Sequence, residues 1–235
     1  MPRRAHTRAD RTLEQPVRGR AMKPAYWDEA TRALGRSDRV LKKLIRAYPD
    51  IHLKRRADPF TTLARAIVGQ QISVKAADSI WRRFVATVAP GSKATPFPRL
   101  PPDAVAATRL PDLRICGLSQ RKAEYLRDLA GHFTSGALDP RRWKKLDDEA
   151  LIDALTEVKG IGRWTAEMFL IFHELRADVL PVDDIGLQRA IALHYNGGER
   201  LTAAGMRELA CRWQPYRSVA TWYLWRSLDP IPVEY

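Results

Sequence analysis

The sequence contains little cysteine, no long apolar run and few acidic residues for its number of basic ones. Its two cysteines, Cys116 and Cys211, are far apart, and neither belongs to a Cys-x-x-Cys pair. Four-thiolate zinc and iron–sulfur sites are therefore excluded. The five histidines show no metal-ligand spacing, so no metal site is predicted. No apolar stretch approaches the ~18 residues of a membrane helix, and no membrane partner is expected.

The amino-terminal segment also lacks the apolar core of a secretory signal. It is charged, rich in arginine and without periodicity, so residues 1–24 are predicted to be a basic disordered tail. A cytoplasmic location is the simplest expectation. An arginine-rich start is also compatible with organelle targeting.

Positive charge is what the sequence has in excess. Lysine and arginine total 40 against 27 acidic residues, which gives a net charge of +13 and a sequence pI of about 10.1. Residues 1–23 account for +5 of this charge, so the remaining chain still carries +8. Such a balance favours a polyanionic partner, most often nucleic acid. The alternative is a basic enzyme that binds no polyanion.

Apolar residues recur with helical spacing, and no segment alternates apolar and polar residues as a strand would. Helix starts are predicted at Asp38, Asp58 and Ser73, because these residue types cap helices, and Pro59 suits a first turn. Helical spacing also occurs in PPDAVAATRL, SQRKAEYLRDLAGHF, DEALIDALTEV, DIGLQRAIALHY, TAAGMRELACRW and QPYRSVATWYLWRSL. The chain is therefore predicted to be all-α, without an internal repeat.

The stretch VKGIGRWTAEMFLIF predicts a tight connection between two helices. Gly160 can adopt the left-handed conformation that ends the first helix. Ile161 can enter the core, and Gly162 lacks a Cβ, so another backbone can approach. The N–H groups that open the second helix then point outward and form an anion site suited to phosphate. The alternative is a plain helix–turn–helix packing motif.

Several segments together resemble the helix-hairpin-helix DNA glycosylase superfamily (HhH-GPD), and within it the alkylbase branch, the DNA-3-methyladenine glycosylase II family. They are the hairpin, FTTLARAIVGQQISVKAADSIWRRF, ICGLSQRKAEYLRDLA, LPVDDIGLQRAI and PYRSVATWYLW. The resemblance runs from about Tyr26 to Asp229. It implies a two-lobed all-α fold. The expected divisions are a terminal lobe of residues 25–57 plus 185–235, a central lobe of residues 58–184, and a hairpin motif at about 147–175.

The resemblance assigns the chemistry to Asp184, at the position of the family's catalytic aspartate. Asp183 is the rival, since either residue could cap the following helix. Trp164 stands where bifunctional members carry a Schiff-base lysine, which implies a monofunctional glycosylase without lyase activity. No cofactor is expected to be required. The family's hairpin carbonyls often bind a structural monovalent cation, which is possible here.

A base-binding pocket is expected beside Asp184, because aromatic faces can select a cationic base. Its predicted residues are Trp164, Met168, Trp225, Trp222, Tyr26 and Trp27. For each tryptophan the alternative is core packing. Residues predicted to contact DNA are Gln70, Gln71, Ser73, Lys159, Gly160, Gly162, Arg163 and Thr165. Gln71 stands where the better-known enzyme has an apolar wedge, and Met168 where it has a tyrosine.

The resemblance thus implies excision of alkylated bases, 3-methyladenine and 7-methylguanine above all, from double-stranded DNA by a monomer. Two alternatives remain open: a glycosylase for other lesions, such as 1-methyladenine or deaminated or oxidised bases, and a non-catalytic DNA-binding module that uses the hairpin as a phosphate clamp. The expected location is the cytoplasm with the nucleoid in a prokaryote, or the nucleus in a eukaryote.

Overall fold

The computed structural model describes residues 23–55, 57–91 and 98–229, so the predicted tail lies almost wholly outside the described residues. Within these ranges the protein is helical and has no strand, which confirms the all-α prediction. The helices are α1 (Trp27–Ser37), α2 (Arg39–Ala47), α3 (Pro59–Gly69), α4 (Val74–Val88), α5 (Pro102–Ala107), α6 (Leu110–Ile115), α7 (Gln120–Thr134), α8 (Asp148–Thr156), α9 (Arg163–Phe169), α10 (Ile185–Tyr195), α11 (Ala203–Ala210) and α12 (Arg217–Leu228).

The predicted caps begin three of these helices. The Asp58 carboxylate accepts a hydrogen bond from the Thr61 N–H at 3.1 Å, with Pro59 in the first turn of α3. The Ser73 hydroxyl accepts from the Ala76 N–H at 3.3 Å and starts α4. Each cap satisfies an N–H group that has no partner inside its helix.

The helices pack in two groups. Helices α3 to α9 contact one another, with α7 against α3, α5 and α6, and α9 against α3 and α8. Helices α1, α2, α10 and α12 form the second group, in which α12 contacts the other three. One continuous apolar cluster joins both groups. The lobe boundaries given above stay a prediction.

The segment before α10 is tied to the start of α12, and this tie determines where Asp184 lies. Arg217 donates two hydrogen bonds to the Asp178 carboxylate, at 2.8 and 2.9 Å. The Ser218 hydroxyl, fully buried, accepts from the Val179 N–H at 2.9 Å. These hydrogen bonds fix the position of the loop relative to α12.

Helix α9 does not end at Phe169 but continues as a π-helical turn, Leu170–Glu174. The turn closes at Leu175, whose φ of 56° lies in the left-handed region. The Leu175 carbonyl accepts a hydrogen bond from the Tyr26 hydroxyl at 2.8 Å, which links the start of α1 to this turn. The extra residue of the π-turn changes the direction of the side chains that follow it.

Candidate active site

The Asp184 carboxylate accepts three hydrogen bonds. Its Oδ1 accepts from the Leu187 N–H at 2.6 Å, which caps α10, and from the Trp225 indole N–H at 2.8 Å. Its Oδ2 accepts from the Trp164 indole N–H at 3.0 Å. A carboxylate has about four lone-pair sites, so Oδ2 retains a second acceptor position.

Three elements bring these groups together. Trp164 lies in the first turn of α9, Trp225 in the last turns of α12, and Asp184 immediately before α10. Trp164 is 41% exposed, which is unusual for a tryptophan. Asp183, the rival aspartate, is exposed, and no indole group contacts it. The negative charge of Asp184 therefore lies at the edge of an accessible aromatic site.

A second aspartate shows that such hydrogen bonds can serve structure alone. The Asp38 carboxylate caps α2 with one oxygen, and its other oxygen accepts from the Trp213 indole N–H and the Tyr195 hydroxyl, both at 3.0 Å. Asp38 and Trp213 are buried at 4% and 0% exposure. Asp184 and Asp38 accept similar hydrogen bonds, and Asp184 differs from Asp38 in being partly exposed.

The aromatic wall behind Asp184 contains Phe172, which was not predicted. Its ring stacks on Trp225 with centroids 5.6 Å apart and an angle of 11° between the planes. It also meets Trp222 edge-on at 6.0 Å. The spacing of Trp164, Met168 and Phe172 at every fourth residue is a sequence signal that could have indicated Phe172, because such residues share a helix face.

Gly186 is a second residue that the sequence reasoning missed. A Cβ built there would lie 3.1 Å from Asp184 Oδ1 and 3.2 Å from the Trp225 ring. Any larger residue would press on the hydrogen bond between Asp184 and Trp225. An isolated glycine in the first turn of a predicted helix is the signal that could have indicated it.

The other predicted pocket residues are more buried than Trp164. Met168 is half-buried one turn after Trp164. Trp222 is 8% exposed and is covered by the Arg226 guanidinium, 4.6 Å from its ring centroid. Tyr26 is half-buried, and its hydroxyl donates a hydrogen bond to the Leu175 carbonyl.

Trp27 is not brought to the site at all. It is only 2% exposed and packs against Tyr223 and His52 in the core, with ring centroids 6.1 and 6.4 Å apart. Trp27 is therefore a core residue, as in the alternative given above for each tryptophan.

Arg163 is half exposed and is paired with two acidic residues. Its guanidinium donates to both Glu149 oxygens, at 2.8 and 2.6 Å, and to Glu167 at 3.0 Å. Glu167 is 3% exposed, and burial raises its pKa to about 6 despite the adjacent guanidinium. The Arg163 guanidinium thus uses three of its five N–H groups within the chain, and the backbone N–H groups at the start of α9 have no side-chain cap.

The hairpin between α8 and α9 has the predicted conformation at two of its three central residues. Gly160 has φ +84°, and a Cβ there would overlap the Tyr125 ring. Ile161 is 4% exposed and enters the core. At Gly162 no atom of the described residues lies within 4 Å of an added Cβ, so the approach of another backbone there stays a prediction. Gly162 leaves open space in front of α9, with no side-chain cap on the first N–H groups.

The remaining predicted DNA contacts surround this hairpin. The Gln70 side-chain amide donates to the Gly160 carbonyl at 2.8 Å. Gln71 is exposed with a left-handed φ of 57°, and Ser73 is exposed at the start of α4. The Lys159 side chain is 72% exposed. Thr165 is 9% exposed, in the first turn of α9.

Cation binding at the hairpin stays a prediction. The Val158 carbonyl accepts from the Ile161 N–H, and the Gly160 carbonyl from Gln70. Each carbonyl oxygen has a second lone pair, which a monovalent cation could use. The described residues contain no cluster of three or more histidine, cysteine or acidic side chains able to hold a metal ion. Along the same residues, no helix combines the length and apolar character needed to cross a membrane.

Comparison with known proteins relates this chain to base excision DNA repair proteins. Residues 64–215 match the family described as HhH-GPD superfamily base excision DNA repair protein. The chain is 33% identical to DNA-3-methyladenine glycosylase 1 of Schizosaccharomyces pombe over 188 residues, or 80% of each protein. It is 31% identical to DNA-3-methyladenine glycosylase 2 of Escherichia coli over 190 residues, which cover 79% of this chain and 64% of that relative.

Solved structures show the same fold. A DNA-3-methyladenine glycosidase from Bacillus halodurans aligns with a TM-score of 0.77 at 34% identity, covering 88% of this chain and 92% of that one. The Schizosaccharomyces pombe 3-methyladenine DNA glycosylase in complex with abasic DNA aligns with a TM-score of 0.70 at 30% identity, covering 85% and 96%. A Clostridium acetobutylicum 8-oxoguanine glycosylase/lyase, at 20% identity and a TM-score of 0.66, shares the fold alone. The family match spans most of the chain, and the protein belongs to the HhH-GPD superfamily of base excision DNA repair proteins.

Proposed function

We propose that the protein is a monofunctional DNA glycosylase that removes alkylated bases, with Asp184 as its catalytic residue. The observation that carries the proposal is the exposed site in which two indole N–H groups and a helix N-terminus orient one carboxylate. The relatives named DNA-3-methyladenine glycosylase support the reaction and the class of lesion.

The chemistry requires little beyond a placed negative charge. Alkylation at N3 or N7 makes the purine cationic, so the C1′–N bond breaks with its electron pair going to the departing base. Positive charge develops on the sugar, and Asp184 stabilises it electrostatically. A water molecule then bonds to C1′ and loses its proton through the carboxylate to solvent. Pre-oriented hydrogen bonds hold Asp184 ready without reorganisation.

The exposed Trp164 is suited to stack on a flipped cationic base, through cation–π attraction as well as apolar contact. The same position argues against lyase activity. A lyase needs an amine nucleophile to trap the sugar aldehyde, and the residue beside Asp184 offers an indole instead.

Binding to DNA is proposed to use the hairpin. The uncapped N–H groups at the start of α9, open space at Gly162 and the positive end of the helix dipole favour a phosphate. Such a contact positions the duplex without reading its sequence. The proposed functional unit is a monomer, because Asp184, Trp164 and Trp225 all come from one chain.

The test is the release of free bases from methylated double-stranded DNA, separated by chromatography. We expect the wild type to release 3-methyladenine or 7-methylguanine, and Asp184→Asn to lose at least a hundredfold in rate while still binding DNA. The matched control is Asp183→Asn, which removes the neighbouring charge and should retain most of the activity.

Three results would contradict the proposal. Inactivity confined to Asp183→Asn would move the chemistry to that residue. Binding without base release by the wild type on a wide panel of lesions would leave a DNA-binding module. Trapping of a covalent protein–DNA adduct with borohydride would show lyase chemistry and an amine nucleophile.

A further inference from the structure

Lys122 looks like a phosphate ligand in so basic a chain, but the structure directs its ammonium inward. Its Nζ donates to the Val68 carbonyl at 2.8 Å and to the Gln70 carbonyl at 2.7 Å. These carbonyls belong to the end of α3, where carbonyl groups have no partner inside the helix. Burial lowers the pKa of Lys122, as expected of an ammonium withdrawn from water. Lys122 thus fixes the turn that leads to Gln71 and Ser73.

The same face of α7 also holds the hairpin. Tyr125 lies one turn after Lys122, and its ring fills the space beside Gly160. Asp128 lies one turn further, and its Oδ2 accepts from the Lys159 N–H at 2.9 Å. Residues at this spacing line one side of a helix. Helix α7 is therefore a common support for the α3–α4 turn, residues 70–73, and for the hairpin, residues 158–162.

A direct hydrogen bond joins the two supported segments. The Gln70 side chain donates to the Gly160 carbonyl at 2.8 Å, while its own carbonyl accepts from Lys122. The side chain and the backbone carbonyl of Gln70 are therefore both held by hydrogen bonds. Through Gln70 the distance between the turn and the hairpin is fixed. A duplex held at the hairpin would then meet Gln71 at a set position.

We propose that Lys122 is a positioning residue, which holds the α3–α4 turn at a fixed distance from the phosphate-binding hairpin and does not itself contact DNA. This inference rests on the proposed function for its activity readout. Replacing Lys122 should slow base excision without changing how steeply DNA affinity depends on salt. Replacing a lysine that binds phosphate should weaken that salt dependence and leave the excision rate of bound DNA unchanged.

The experiment compares Lys122→Met with Lys159→Met, whose lysine is exposed beside the same hairpin. DNA affinity is measured across salt concentrations, and excision under single-turnover conditions with saturating protein. A lysine that neutralises one phosphate contributes about 0.9 to the slope of log affinity against log salt. We expect Lys159→Met to lose about that slope. Lys122→Met should keep the slope and lose on the order of tenfold to a hundredfold in excision rate. Lys122→Arg, which still donates to carbonyls, should recover part of the rate.

Several outcomes would overturn the inference. A reduced slope with an unchanged excision rate in Lys122→Met would make Lys122 a phosphate ligand, and no change in either quantity would leave it without a role. If Lys122→Met does not fold, Gln70→Leu removes the bridging N–H without altering charge and should show the same loss of rate at unchanged slope. Its full activity would then contradict the inference.

A readout independent of activity separates this inference from the proposed function. Lys122→Met should speed hydrogen exchange in peptides covering residues 68–73 and 158–162, while Lys159→Met should affect neither by more than a small factor. A wild type without glycosylase activity would refute the proposed function but leave this measurement decisive. Unchanged exchange in both segments would refute the positioning role.

Discussion

Asp183 and Asp184 are adjacent residues of one type before the same helix, and no property of the residues themselves separates them in the sequence. Both can cap α10. The choice of Asp184 came from its spacing after the hairpin in the related family. The structure adds a physical difference, because only Asp184 lies where α9 and α12 each deliver an indole N–H. That convergence depends on contacts over 20 and 41 residues of chain, which local patterns do not report.

Glu167 gives a prediction at the same scale. Its pKa of about 6 lies above the ordinary value of 4.5, so the folded protein binds this proton more tightly than the unfolded chain does. Stability should therefore rise as the pH falls from above 6 to below 4.5, by up to about 2 kcal/mol from this group. Glu167→Gln should lack that rise. Urea unfolding of both proteins between about pH 7.5 and pH 3 measures the difference.

Glu149 provides a control of opposite sign. The hydrogen bond from Arg163 lowers the pKa of this exposed carboxyl. Its contribution to stability is present above its unfolded pKa and is lost as the pH falls through the folded one. Glu149→Gln should therefore remove a loss of stability in acid, whereas Glu167→Gln removes a gain. Identical pH profiles for the two variants would contradict this assignment.

At the scale of elements, the two hairpin glycines should behave differently. Gly160→Ala puts a side chain into the left-handed region and against the Tyr125 ring, so it should cost about 1–2 kcal/mol or more in unfolding free energy. Gly162→Ala meets open space at an ordinary φ of −91° and should leave the fold stable. It should weaken binding to damaged and undamaged DNA alike, because the contact is to phosphate.

Urea unfolding and binding titrations on both DNAs test this pair. A Gly162→Ala variant that loses affinity for damaged DNA alone would place Gly162 at the base rather than the backbone. A Gly160→Ala variant of wild-type stability would show that the turn can relax around an added methyl group.

Most helices could be predicted from the sequence, because their caps and apolar spacing are local signals. Asp58 with Pro59 and Ser73 begin α3 and α4 as predicted. Helix α6, which has six residues like the predicted α5, was not predicted. The π-turn after Phe169 was missed because its sequence continues an α-helical pattern, and only packing reveals the extra residue. Phe172 lies in this turn and was missed although its spacing from Trp164 and Met168 is a helical signal in the sequence.

At the scale of the whole molecule, charge predicts how binding responds to salt. The net charge is +13, and residues 1–23 hold only +5 of it. Each phosphate that the protein neutralises steepens the fall of log affinity with log salt by about 0.9. We expect affinity for duplex DNA to fall more than tenfold between about 50 and 200 mM salt. Fluorescence anisotropy measures this, and a flat dependence would remove the phosphate contacts from the proposal.

Trp164 is exposed and donates its indole N–H to Asp184, so one side chain is placed for both recognition and chemistry. Any substitution of Trp164 would also remove the hydrogen bond to Asp184 Oδ2. The choice of lesion and the rate of cleavage are therefore not independent traits at position 164. Met168, one turn along α9, has a flexible thioether side chain with no hydrogen-bond donor for the carboxylate. Substitution of Met168 should therefore change the range of lesions, by evolution or by design, with less effect on the catalytic carboxylate than substitution of Trp164.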